Sequence, residues 1–317
     1  MTEPDLHERL AQIASLYYEE ELTQNEIAQR LGISRVKVYR LLKQARDEQV
    51  VTILIDWPIK RDARLERALV HTFGLQDALV LQSTAGDGNA GLHQLGQLAA
   101  RFLEQHLQDG STLSVCLGRS TFETINAIRP GFRARVKVAP ALGSMPFAMQ
   151  EPDSGALARR LAQKLGGEVY DLSAPVMADS VEAAAVLRSQ RDIKRALEAA
   201  ESAGMALVGI GNLDPAQSGY VKGGFMTPDE LRLLAAAGAV GDIAGRIITA
   251  DGQLHANRYD DRIIGIGFEQ IKKIPCTIAV AMGPEKTHAI NGALHTGIVK
   301  VLCTDDRTAS AVLDMKK

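Results

Sequence analysis

The chain has 317 residues, 46% of them hydrophobic and 23% charged, the balance of a globular protein with a large core. Its 36 Lys+Arg against 38 Asp+Glu give a formal net charge of −2, which excludes a general nucleic-acid coat or a membrane-surface protein. No apolar run is long enough to span a bilayer and the polar N-terminus carries no secretory pattern, so a cytoplasmic protein of two domains is expected.

In chain order, residues 6–20 (LHERLAQIASLYYEE) form a first helix with Leu10, Ile13, Ala14 and Tyr17 on one face. Thr23-Gln24-Asn25-Glu26 is a capping box that opens a second, short helix. Gly32 ends it, because glycine accepts the left-handed turn. Ser34 is the N-cap of a third helix, on which Val38, Leu41, Leu42 and Ala45 form a buried stripe. Arg35, Lys37, Arg40, Lys43 and Arg46 share that helix, and no acid interrupts 34–46. Two capped helices around a glycine turn, the second one basic, read as a helix-turn-helix. Arg35, Val36 and Arg40 are candidates for base edges: arginine pairs bidentately with guanine and valine can touch a thymine methyl. Lys37, Tyr39, Lys43, Thr23 and Gln24 are better placed for phosphates. Residues 1–60 hold 8 Lys+Arg against 10 Asp+Glu, so attraction to DNA must come from the local patch. The β-branched run 50–55 predicts a small strand or wing that closes a DNA-binding domain over residues 1–56, leaving 57–317 as an effector-binding and oligomerisation domain.

Residues 61–73 predict a helix that links the domains and helps them dimerise. Strands are expected at 78–81, 113–117, 136–139, 168–172, 205–209, 278–281 and 299–303, with helical patterns at 92–107, 155–165, 192–203 and 284–296 between them. Apolar strands alternating with helices predict a doubly wound, mostly parallel α/β sheet, whose ligands bind beyond the carboxyl ends of the strands. Four strand ends carry suitable residues: Gly118-Arg119-Ser120-Thr121, Gly143-Ser144, Gly209-Ile210-Gly211-Asn212 and Gly283-Pro284-Glu285-Lys286. The first and last precede helices, where free N–H groups and the helix dipole favour an anion, and Lys286 can add a charge-assisted bond. In Gly238-Ala239-Val240-Gly241-Asp242 the lone carboxylate of Asp242 can accept bonds from sugar hydroxyls. Cys116, Cys276 and Cys303 each sit in an apolar run and read as buried free thiols. Neither they nor the histidines have metal-ligand spacing, and neither paired carboxylates nor a Glu/His constellation marks an acid/base site, so no cofactor, metal or catalytic residue is expected.

The stretches IASLYYEEELTQNEIAQRLGISRVKVYRLL, LVGIGNL, GAVGDIAGRIITADG and VAMGPEKTHAINGALHTGIVKVLCTDDRTA together make the chain resemble the SorC/DeoR-type sugar-binding transcriptional regulators of bacteria along essentially its full length. The resemblance implies an effector domain with the fold of glucosamine-phosphate deaminases, ribose-phosphate isomerases and CoA transferases. It implies double-stranded operator DNA and a phosphorylated sugar as partners, a homo-oligomer, most often a tetramer, and repression relieved by the effector. By the family's motifs Gly118, Arg119, Ser120, Thr121 and Lys286 would cradle the phosphate, Asp242 would bind the sugar, and Gly209 and Gly211 would shape the pocket. The alternative reading is a sugar-phosphate isomerase or deaminase with an appended helical domain.

Overall fold

The computed structural model describes residues 3–48, 50–51, 53, 58–83, 88–145 and 154–315. The chain divides into two compact units, Met1–Asp56 and Trp57–Lys317.

The first unit holds α1 (Glu3–Tyr18), α2 (Gln24–Leu31) and α3 (Arg35–Asp47). Its core joins Leu10, Ile13 and Leu16 of α1 to Ile27 of α2 and to Val38, Leu41, Leu42 and Ala45 of α3. No strand occurs among its described residues. Val50 and Val51 instead pack against the three-helix core, while Thr52, Leu54 and Ile55 of the expected wing lie outside the described residues.

The second unit is built on β1 (Asp77–Leu81), β2 (Thr112–Val115), β3 (Lys137–Pro140), β4 (Glu168–Val169), β5 (Met205–Gly211), β6 (Ala239–Ile243), β7 (Arg246–Thr249), β8 (Cys276–Val280) and β9 (Val301–Asp305). Seven of these run parallel in the order β1-β9-β8-β5-β2-β3-β4. Side chains alternate between the two faces, as the strand period requires: Ala206, Val208 and Ile210 of β5 enter one core, Met205 and Leu207 the other. The helices are α4 (Ala63–Phe73), α5 (Gly88–His106), α6 (Arg119–Asn126), α7 (Ser154–Leu165), α8 (Val181–Ser189), α9 (Arg191–Glu201), α10 (Gly219–Lys222), α11 (Pro228–Ala236), α12 (Phe268–Lys272), α13 (Thr287–His295) and α14 (Asp306–Asp314). From β2 the chain winds outward through β3 and β4, then returns to β5 and winds the other way through β8 and β9. The β2–β5 boundary is therefore the switch point at which such sheets open a crevice.

Several boundaries depart from the sequence reading. The helix expected at 61–73 starts at Ala63 because Asp62 caps it, accepting from the Arg64 and Leu65 N–H groups. It packs on β1 and α14 within the second unit. The strand expected at 168–172 stops at Val169. The helix expected at 284–296 is a 3-10 turn over Pro284–Lys286 followed by α13. The glycine-rich stretch around Asp242, to which no element was assigned from sequence, is β6 of an antiparallel hairpin with β7, tied to β5 through Ile210↔Ile243 and Gly211↔Asp242. Cys116 and Cys303 are buried, but Cys276, the first residue of β8, is only half-buried.

Candidate functional site

The turn between α2 and α3 is fixed by local hydrogen bonds. The Thr23 N–H donates to Glu26 Oε2 at 2.8 Å, and the Glu26 N–H donates back to Thr23 Oγ1 at 3.4 Å. The Thr23 hydroxyl donates its proton to the same Glu26 carboxylate at 2.7 Å. These bonds hold the Glu26 carboxyl below its usual range. In this arrangement the Thr23 hydroxyl proton is engaged by the cap. Gly32 adopts φ 62° and its N–H reaches the Ala28 and Gln29 carbonyls. Ser34 Oγ accepts from the Lys37 N–H at 3.2 Å. With the core stripe turned inward, Arg35, Val36, Lys37, Tyr39, Arg40 and Lys43 are all exposed, and Gln24 is partly exposed.

In the second unit a cavity of about 730 Å³ opens at the β2–β5 switch point. The segments after β2, β5, β8 and β9 line it, together with β6 and α10. At one end Gly118 turns the chain into α6 with φ 147° and ψ 157°, and no side chain caps that helix. Gly118, Arg119 and Ser120 face the cavity. Thr121 does not line it: fully buried, it donates from Oγ1 to the Gly118 carbonyl at 2.7 Å and braces the turn. Lys286 lines the cavity beside Gly283 and donates from Nζ to the Ile210 carbonyl at 3.0 Å. Burial lowers its ammonium pKa, the carboxylates of Asp242 and Glu285 oppose that, and Arg119 adds to it. Arg119 and Lys286 line the same cavity as the uncapped helix end, a set of groups suited to an anion.

Asp242, on the hairpin strand β6, lines the same cavity within electrostatic reach of Lys286. Burial pushes its carboxyl up to about 6, although Lys286 and the Gly245 N–H favour the charged form. Gly211 leaves room for it, since a methyl group there would displace the Asp242 carboxylate. At Gly209 a methyl would meet nothing within 4 Å, so this residue simply opens the wall. Tyr220 closes the floor, its buried hydroxyl donating to the Gly245 carbonyl at 2.6 Å.

Gly143 and Ser144, expected in the site, do not line the cavity. The Gly143 N–H donates to the Ile264 carbonyl at 2.9 Å, Ser144 pairs with Ala174 and Val176, and a Cβ at 143 would strike the Pro175 carbonyl. The close packing of two chain segments explains this glycine. The carboxylate of Asp242 is also not alone: Glu285 and Asp305 line the same cavity. Asp305 is held as the α14 cap, accepting from the Thr308 N–H at 2.6 Å. Sequence reasoning also missed Gln217, Tyr220 and Arg307. The short run TDDR after an apolar strand was the available signal for Asp305 and Arg307. The α10 residues have none, because the fold-back of that segment brings them in.

Comparison with known proteins places these two units together elsewhere. A family profile described as "Putative sugar-binding domain" matches residues 57–314, and one described as "Sigma-70, region 4" matches residues 4–48. The chain is 31% identical over 313 residues to the transcriptional regulator LsrR of Klebsiella pneumoniae, covering 96% of this chain and 93% of that one. It is 28% identical to the deoxyribonucleoside regulator of Bacillus subtilis, covering 95% and 96%. Among solved structures, the full-length sorbitol operon regulator SorC of Klebsiella pneumoniae superposes with a TM-score of 0.73 at 27% identity, covering 98% of this chain and 99% of that one.

Proposed function

The chain belongs to the family of transcriptional regulators with this sugar-binding domain, and on that premise we propose that it is a cytoplasmic repressor whose grip on its operator is released by a phosphorylated sugar. The observation that carries this reading is the cavity at the switch point. Arg119, Lys286 and the start of α6 line one cavity with the Asp242 carboxyl, which lies within electrostatic reach of Lys286. The cations and the helix end suit a phosphate and the carboxyl suits sugar hydroxyls. A charge-assisted bond from Lys286 contributes about 1.5–3 kcal/mol. Gly118, Ser120, Gly209, Gly211 and Gly283 let ligand and backbone approach closely, and Thr121 supports them.

In the first unit, Arg35, Val36 and Arg40 meet bases, while Lys37, Lys43 and Gln24 fix the register on phosphates. A dimer or tetramer presents two such helices to the half-sites of one operator. The effector changes their separation, and DNA must weaken effector binding by the same factor that effector weakens DNA binding. A coupling of about 1–3 kcal/mol alters operator affinity roughly 5–150-fold. Titrating a selected operator with and without a panel of phosphosugars tests the reading. Equal DNA affinity under every ligand defeats it.

The domain senses without turnover in this reading. The one observation favouring an enzyme is Asp242, whose carboxyl at about 6 beside Lys286 could exchange a proton near neutrality. Incubating the protein with sugar phosphates and analysing for isomerised or deaminated product decides between the two.

A further inference from the structure

Just past β5 the chain fixes a pair of side-chain amides whose polarity follows from the backbone. Gly211 pairs with Asp242 across the β5–β6 ladder, so Asn212 is the next residue beyond that carboxylate. Asn212 is buried and lines the cavity. The Asp214 N–H donates to Asn212 Oδ1 at 3.3 Å. A backbone N–H can only donate, so the oxygen end of this amide must face it and the nitrogen end must turn elsewhere. Asn212 Nδ2 donates to Gln217 Oε1 at 3.2 Å. The same logic passes to the second amide: an NH2 group only donates, so Gln217 meets it with oxygen. The Nε2 end of Gln217, with its two protons, is then left over, and it has no protein acceptor among the described residues. The turn that carries it is tied down by its own backbone. The Asp214 carbonyl accepts from the Gln217 and Ser218 N–H groups at 3.0 and 2.8 Å, and Asp214 Oδ1 accepts from the Ala216 N–H at 3.0 Å.

Gln217 lines the same cavity as Asp242 and Lys286. A sugar hydroxyl has one proton to give and lone pairs to fill. A carboxylate takes the proton but offers the lone pairs nothing, and an uncharged donor at the same end of β5 completes the match. We propose that Gln217 is a specificity-determining residue of the effector site, donating from Nε2 to a sugar hydroxyl oxygen, and that Asn212 is the positioning residue that fixes this polarity. This rests on the phosphosugar reading above and deepens it.

The test reverses the polarity. The full-length protein is screened by thermal shift against ribose 5-phosphate, glucose 6-phosphate, fructose 6-phosphate and glucosamine 6-phosphate. The strongest binder is then titrated calorimetrically beside the same sugar without its phosphate. Gln217→Ala should weaken both ligands about fivefold, leaving their ratio unchanged because the contact is to the sugar. Asn212→Asp keeps an acceptor for the Asp214 N–H but has no donor. Gln217 must then turn its nitrogen toward position 212 and its oxygen toward the ligand, and the expected loss is about tenfold. In a Gln217→Ala background the same substitution should cost much less, a non-additivity that the double-mutant cycle reads. Melting curves check folding; Gln217 is exposed, so its truncation stays informative even if Asn212→Asp does not fold. Unchanged affinity in Gln217→Ala refutes the specificity role while the reading of the cavity stands. A loss confined to the phosphorylated ligand puts Gln217 on the phosphate and refutes the sugar contact. Equal losses from Asn212→Asp in both backgrounds refute the positioning role. If no phosphosugar shifts the wild type, the assignment falls together with the reading beneath it.

Discussion

Replacing Gly118 by alanine separates backbone geometry from steric room at the mouth of the cavity. Gly118 holds φ 147° and ψ 157°, a region essentially restricted to glycine. A Cβ added there would meet only Thr121 Oγ1, at an ordinary 3.5 Å. The cost of Gly118→Ala is therefore conformational. Such strain amounts to about 1–3 kcal/mol, partly offset by the stiffer unfolded chain, worth about 0.4–1 kcal/mol. A net loss of about 1–2 kcal/mol remains. The second unit spans Trp57–Lys317, and at about 2.1 cal/mol/K per residue its unfolding entropy is roughly 0.55 kcal/mol/K. Tm should fall by about 2–4 °C, read by differential scanning calorimetry on the ligand-free protein. Because the Gly118 carbonyl also accepts from Thr121 Oγ1 and the Phe122 N–H, relaxing the strain tilts the first turn of α6, and the thermal shift caused by a phosphosugar should shrink as well. Gly209→Ala is the control, since a methyl there meets nothing and its backbone is not left-handed; its ligand-free Tm should rise by about 1–2 °C through the stiffer unfolded chain alone. If Gly118→Ala melts with the wild type, the backbone does not demand glycine and the argument for a shaped anion turn fails.

Three further outcomes are expected. The Asp242 carboxyl titrates at about 6 in the folded protein against an ordinary 3.8, so between those values the unfolded chain sheds a proton that the folded one keeps, and stability falls as pH rises. Melts of ligand-free Asp242→Asn against wild type from pH 3.5 to 8 should show the difference moving in the variant's favour by about 3 kcal/mol across that window and then levelling off; parallel curves would mean the carboxyl is not displaced. Lys286→Met should remove the preference for a phosphorylated sugar over the same sugar without its phosphate, a loss of roughly 10–150-fold, measured by calorimetric titration of both ligands; an intact preference would take Lys286 out of the anion site. Thr23→Ala should cost about 1 kcal/mol through the lost capping box, visible as about fivefold faster hydrogen exchange of the α2 amides; unchanged exchange would show that the cap contributes nothing.

The parts of this molecule that could be read from sequence are those whose causes are local. Thr23 with Glu26, Gly32 and Ser34 announce two helix starts and a turn within a dozen residues, and each makes the bonds its side chain permits. Strands buried on both faces stand out as apolar runs, so those of the parallel sheet fall within a few residues of expectation. The failures are tertiary. Gly118 and Gly143 look alike in sequence, a glycine and a small hydroxyl after an apolar run, yet one turns a chain toward a cavity and the other admits a neighbouring carbonyl. β6 carries a glycine at 241 because Ala289 and the Gly211 carbonyl leave no room for a side chain, and that glycine hides the strand. Gln217 and Tyr220 reach the cavity only through the path of α10, which no periodicity in their own segment encodes.

One steric detail constrains how this pocket can diversify. The volume a methyl at position 211 would need is already held by the Asp242 carboxylate, so the two positions form a single lock with a required order of opening. A descendant could shorten residue 242 first and then gain a side chain at 211, acquiring a different appetite for ligands in two viable steps. The reverse order passes through a collision.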